Sequence, residues 1–411
     1  MQRFRILAAL IIAYLLFAML LNSVGTVILQ SITTFGVSKA QAGTLEGFKD
    51  LPIALSSFLL ASLIPRWGYR YTIMLGLALA ALGCLAMPLA NAFWATQLMF
   101  ALTGTAFGLV KVAVYSSIGL LTRDRQQHAS LTNLIEGLFM VGVLISYWLF
   151  GAFIDDADPS GSDWLGVYWP LTGLCLLAIA LLATARLDER GTRIVGESLH
   201  QGFTRMLGMV FKPLVLVFIL SAWLYVLIEQ SIGTWLPTFN SEVLHLPNSM
   251  SVQIASIFAG ALAIGRLSAG AVLRLMPWHR LLNFCVIAMG VLVVLTLPLA
   301  GDVQPGSVTG WSSAPLAAWL FPLIGLFMAP IYPAINSVML SALPRHQHAP
   351  MTGLIVIASA LGGTTGSMIT GILFGKLGGQ SAFYLSLLPM IAILVTLSLF
   401  RRESERTAME G

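Results

Sequence analysis

Charge is what this sequence has least of. Only 9% of its 411 residues are Asp, Glu, Lys or Arg, against 57% hydrophobic, and the mean hydropathy is +0.87. A soluble chain carries about 25% charged residues, so a water-soluble globular protein is excluded. Strand-length alternation of apolar and polar residues is also missing, and the apolar runs are about 20 residues or longer. Both facts exclude a transmembrane barrel and leave spanning helices. Cysteine is scarce: Cys84, Cys175 and Cys285 sit inside apolar runs, without metal spacing or an even count, and read as small buried hydrophobes. The six histidines, His128, His200, His245, His279, His346 and His348, all read as loop or helix-end residues. No metal and no cofactor is expected. No G-x-x-x-x-G-K-S/T loop is present to cradle nucleotide phosphates, so ATP drive within this chain is not expected. The net charge of +5 is spread over short loops, so nucleic acid is not an expected partner.

What is present is a series of apolar runs. Hydropathy predicts twelve transmembrane helices, at about 6–30, 43–64, 71–91, 93–121, 129–154, 167–185, 212–239, 250–275, 281–300, 314–342, 349–376 and 381–400. The first run follows Arg3 and Arg5 and has no A-x-A-like site after it, so it reads as a retained span rather than a signal peptide. Alternate loops differ sharply in basic residues. Seventeen of the 22 Lys and Arg fall on one side, Lys39 and Lys376 on the other, and Lys49, Lys111 and Arg266 inside spans. This asymmetry puts both termini in the cytoplasm, and the bacterial inner membrane is the expected location. Residues 1–185 then form a first six-helix bundle, 186–211 a polar cytoplasmic linker, and 212–411 a second bundle with a short tail. Basic links follow the second span of each half, at Arg66–Arg70 and Arg274–Arg280, a weak internal repeat.

Seven charges lie within spans, and each needs a partner, water or a substrate. Lys111 is the only charge in span four. A lysine at the centre of a spanning helix costs about 2.5–3.5 kcal/mol on insertion scales. Counting along spans four and five puts Lys111 and Glu136 at a similar depth, so they are expected to pair. Asn133 and Tyr115 lie three and four residues away and share those faces. Glu46, Lys49 and Asp50 share one face of span two towards the outer side, and read as a gate or a helix-end charge network. On span seven, Tyr225 and Glu229 share a face, with Gln230 adjacent and Trp235 near the end. Glu229 has no evident partner and is a candidate proton carrier. Arg266 in span eight reads as a charge held by an acid or by helix ends. Pro330 and Pro333 are expected to bend span ten, leaving Tyr332 and Asn336 on one side as ligands for hydroxyl groups. Gly362–Gly366 in span eleven is a small-residue surface for close helix packing.

Over nearly its whole length the chain resembles the major facilitator superfamily. The link Arg66-Trp-Gly68-Tyr-Arg70 looks like that family's loop two-three signature, with Ala61 and Pro65 where a glycine and an aspartate are usual. Gln41-Ala-Gly43, Leu131-Thr-Asn133-Leu-Ile-Glu136, Gly265-Arg266 and Pro330-Ile-Tyr-Pro333-Ala-Ile-Asn336 are most similar to the fucose-type sugar:proton symporters. The resemblance implies an all-α fold of two six-helix halves, with spans one, four, seven and ten lining a central cavity. Two departures stand out. Members of the sugar group often carry an acid in spans one and four. Span one here has none, its central polarity resting on Asn22, Ser23 and Thr26, and span four has Lys111 where the acid would be.

The expectation is therefore a secondary active transporter, a functional monomer in a lipid bilayer, moving a small polar solute with protons. Sugars, amino sugars and sugar acids fit its polar residues. The expected substrate-binding residues are Lys111, Tyr115, Asn133, Gln230, Trp235, Tyr332 and Asn336. Proton coupling is assigned to Glu136 and Glu229, and gating or charge networking to Glu46, Lys49, Asp50 and Arg266. Efflux or exchange of an organic anion or amphipathic compound is the alternative, because Lys111 suits an anion. An enzyme needs a nucleophile–base or metal cluster within the spans, and none is seen. A receptor usually adds a soluble signalling domain, and only a short charged tail follows Phe400.

Overall fold

Long apolar runs cannot leave backbone groups unpaired in lipid, and the chain resolves this with helices throughout. The computed structural model describes residues 2–60, 64–122, 124–185, 208–301, 303–344 and 347–410, and all regular structure among them is helical. Most of the expected linker, with His200 and His346, lies outside the described residues. Among the described residues, eleven helices are long and apolar enough to cross a membrane. The twelfth, span two, is shorter. It comprises Lys39–Ala42 and Leu45–Leu59, with Pro52 inside and Glu46, Lys49 and Asp50 along it.

The described residues divide into two compact units. The first holds residues 1–37 and 48–199, the second 38–47 and 200–411. The expectation of one continuous N-terminal bundle differs here: the start of span two groups with the C-terminal spans. Ser38 caps this segment by accepting from the Gln41 backbone N–H, and the Gln41 side chain accepts in return from the Ser38 N–H.

In the first unit, span one runs as Gln2–Asn22 and Val24–Phe35. The break at Ser23 has a local cause. The Asn22 amide donates to the Ala18 carbonyl at 2.8 Å, and the Ser23 hydroxyl to the Leu20 carbonyl at 2.8 Å, competing with the helix ladder. Span four is Phe93–Leu121 and span five Arg125–Gly151. Gly104 and Gly108 on span four lie against the backbone of Lys49 and Ile53 on span two, where a side chain has no room. Span five is tied to span one by the Ser146 hydroxyl, which donates to the Met19 carbonyl at 2.9 Å. Small residues thus set the helix spacing, as expected where apolar burial gives no drive between helices.

The second unit uses the same device. Gly362 and Gly366 of span eleven (His348–Leu377) press on the backbone of Trp223 and Leu227 in span seven (Pro213–Gly233). Gly265 of span eight (Asn248–Val272) meets Leu326 and Ala329 of span ten. Span ten is broken rather than smoothly bent. Its helix Ile324–Met328 ends, Pro330 caps the next, and Ile331–Ser341 continues with Pro333 inside.

Candidate substrate and coupling sites

Within the first unit, spans one, four and five bring an aromatic and charged cluster together. Phe107, Lys111 and Tyr115 follow each other at i, i+4 and i+8 on span four, so they share a face. Tyr14 of span one has ring centroids 6.3 Å from Phe107, 6.4 Å from Tyr115 and 6.0 Å from Phe139. The Tyr115 hydroxyl donates to a Glu136 carboxylate oxygen. The Lys111 ammonium stands 5.8 Å from the Phe107 ring centroid, at the outer range of a cation–π contact. Lys111, Asn133 and Glu136 are exposed, and Tyr115 is half-buried.

The expected Lys111–Glu136 ion pair is not formed. Among the described residues Lys111 has no ion-pair partner, and the carboxylate is held by Tyr115 instead. Residue counting gives depth along a helix and leaves its rotation open. Rotation selects the phenol one turn away.

A second cluster lies within the second unit. Arg266 stands 3.6 Å from Glu229, an ion pair between spans eight and seven, with the Glu229 side chain only 18% exposed. The reading of Glu229 as a carboxylate without a partner is corrected by this contact. Tyr225, fully buried one turn before Glu229, stacks on Tyr332 at 5.5 Å and 23°. The Ser359 hydroxyl donates to the Ile355 carbonyl at 2.8 Å, which leaves Tyr332 as the donor in their 2.7 Å bond. Asn336 lies one turn from Tyr332, and its Oδ1 is buried without a hydrogen-bond partner. An orphaned acceptor beside stacked tyrosines is suited to a ligand hydroxyl.

Gln230 and Trp235 belong to neither cluster. Trp235 is fully buried; its indole N–H reaches the Ser367 carbonyl at 3.0 Å and the Ser367 hydroxyl at 3.2 Å. Gly43 and Gly371 lie against the same ring, so Trp235 packs the 38–47 segment rather than facing open space. Its aromatic, polar character suggested a ligand; its apolar body in fact fills a helix junction. Gln230 accepts from the Thr234 hydroxyl at 2.9 Å, and that hydroxyl also lies 3.2 Å from fully buried Glu46. One hydroxyl proton serves one acceptor at a time. Nearby, Lys39 pairs with Glu242 at 2.6 Å. The expected trio on span two is divided: Glu46 groups with the second unit, while Lys49 and Asp50, 3.4 Å apart, group with the first.

Tyr14, Phe107, Phe139, Thr234 and Ser359 were not singled out by sequence reasoning. Tyr14 and the phenylalanines are submerged in apolar runs. Thr234 and Ser359 stand among many helix-facing hydroxyls, and only contacts distinguish them.

Comparison with known proteins agrees with this frame. The family model described as Major Facilitator Superfamily matches residues 10–348. A bacterial homologue of the human lysosomal transporter Spinster, solved inward-facing and unoccupied, aligns with a TM-score of 0.75 at 18% identity, over 100% of this chain and 98% of its own. A D-xylose-proton symporter aligns with a TM-score of 0.72 at 15% identity, over 96% and 97%. The fucose:proton symporter of E. coli aligns with a TM-score of 0.58 at 16% identity, over 97% and 99%. Likeness at such identities speaks to fold and leaves substrate open. No curated protein matches the sequence. With the family match spanning most of a chain built of apolar spanning helices, the chain belongs to the Major Facilitator Superfamily and is a multi-pass membrane transporter.

Proposed function

We propose that this protein is a secondary active transporter that moves a small polar solute, a sugar, amino sugar or sugar acid, by alternating access coupled to proton symport. The observation that carries the reading is the pair of polar clusters built on spanning helices. One unit holds Lys111, Tyr115 and Glu136 beside exposed Asn133, the other Glu229, Arg266, Tyr332 and Asn336. Charges kept at such depth are costly unless they bind or move something. Glu136 and Glu229 are the proposed proton carriers, because each is a carboxylate whose partner, a phenol or a guanidinium, can be exchanged. Two structural neighbours bear the names of sugar:proton symporters, which supports the choice of solutes to try first. The chain is proposed to work as a monomer in a bacterial inner membrane with both termini in the cytoplasm, on the loop-charge asymmetry.

A second reading, export or exchange of an organic anion or amphipathic compound, is favoured by one observation: the Lys111 ammonium has no anionic partner among the described residues. Uptake into proteoliposomes under an imposed pH gradient separates the two. Symport predicts accumulation on the alkaline inside, abolished by collapsing the gradient. Counterflow of a preloaded anion without gradient dependence supports exchange.

A further inference from the structure

The three cations placed inside spans are not equivalent. Lys49 pairs with Asp50 at 3.4 Å and Arg266 with Glu229 at 3.6 Å. Among the described residues Lys111 has no ion-pair partner and meets the face of Phe107. It lies ten residues before Leu121, about 15 Å along the helix axis, and eighteen after Phe93, about 27 Å. A four-carbon stem is too short for either distance. Lys111 is nonetheless an exposed residue, so no described side chain fills the space beside it. The acid that sequence counting offered as its partner is engaged by Tyr115.

The surroundings limit what that space accepts. Phe17, Phe107, Phe139, Tyr14 and Tyr115 form a continuous aromatic group, with centroid distances of 5.6 Å for Phe17–Phe107 and 5.9 Å for Phe107–Phe139. Tyr14, Phe17 and Phe107 are buried, while half-buried Phe139 and Tyr115 offer an apolar surface to one side of a compact solute. A neutral solute leaves the ammonium uncompensated. A dianion such as phosphate calls for several cations or a guanidinium fork, and this cluster has one lysine and an acid close by.

We infer that Lys111 is the anion-binding residue of the substrate site and that the transported solute carries a single carboxylate. A sugar acid is the class that fits, its charge on the lysine and its ring face against Phe139. This inference rests on the transport reading of the same site and narrows its substrate class, whichever direction the solute moves.

The test uses the full-length protein in lipid nanodiscs and calorimetric titration with matched probes: D-glucuronate against D-glucose, D-galacturonate against D-galactose, and D-gluconate, with inorganic phosphate as the dianion. At least one sugar acid should bind, and its neutral parent about tenfold more weakly or worse. Lys111→Met should weaken the acid by about tenfold or more, the loss expected for one charge-assisted contact. Lys111→Arg should keep most of the affinity. The inference is overturned if no sugar acid binds, if the neutral parent or phosphate binds as tightly, or if Lys111→Met binds the acid like the wild type. Should Lys111→Met fail to fold, the matched pairs on the native protein and Lys111→Arg decide the matter. The two levels fail differently. A sugar acid bound through Lys111 but never transported rejects the transport reading. A neutral sugar accumulated equally by wild type and Lys111→Met rejects this inference and keeps that reading.

Discussion

Tyr115 and Glu136 show what a single hydrogen bond changes. Lys111 and Glu136 were legible as membrane-depth charges because nothing else in their runs is charged. Their partners were not legible, because rotation about a helix axis is set by packing against neighbours. The contact of Tyr115 with Glu136 makes a specific prediction. A double-mutant cycle of Tyr115→Phe and Glu136→Gln, read by thermal unfolding in detergent, should give a coupling of about 1–2 kcal/mol. The cycle of Lys111→Met and Glu136→Gln should give nearly none, and rescue of the lysine variant by the glutamate variant would contradict the geometry. On the other side, Arg266→Met leaves Glu229 half-buried without its cation. Such a variant should express poorly or unfold several degrees lower, and Arg266→Met/Glu229→Gln should recover the loss. If the double variant folds and still fails to couple transport to protons, Glu229 has a role beyond holding span eight.

At the scale of elements, hydropathy finds spans by their apolar length, and it located span two without showing how that span is broken. That span carries three charges and a proline, is divided at Ala42–Leu45, and has its first residues grouped with the C-terminal unit. Apolar length is a property of one segment; membership of a unit is a property of contacts. The glycines of span eleven were legible as a packing surface because small residues three and four apart share a face. Their partner, span seven, was not. Trp235 belongs to this scale too. Trp235→Phe removes its N–H bond to Ser367 while keeping most of the ring, so it should lower the unfolding midpoint by a few degrees and leave substrate affinity unchanged. Titration of the purified variant checks it, and a large loss of affinity with unchanged stability would put Trp235 back among ligands. Gly366→Val, placed against the Leu227 backbone, should be far more damaging.

For the whole molecule, composition alone gave the class, since a chain with 9% charge and long apolar runs is bound to lipid. The repeat of basic links gave two halves, and the family match over residues 10–348 carries the architecture. Function at this scale needs more than fold. Superfamily members share a frame, and what each moves depends on a few side chains on it. The proposed ones here are a lysine with no ion-pair partner among the described residues, beside a tyrosine-held glutamate, in one unit, and an arginine–glutamate pair beside two stacked tyrosines in the other. The central claim is that these charges couple solute movement to protons. It is tested most directly by reconstituting the purified protein in proteoliposomes, imposing a pH gradient with the inside alkaline, and measuring uptake of labelled sugars, amino sugars and sugar acids. The account predicts accumulation of at least one of them above the outside concentration, lost on adding a protonophore and in Glu136→Gln or Glu229→Gln. Uptake of every solute that only equilibrates, or that proceeds unchanged without the gradient, would contradict it.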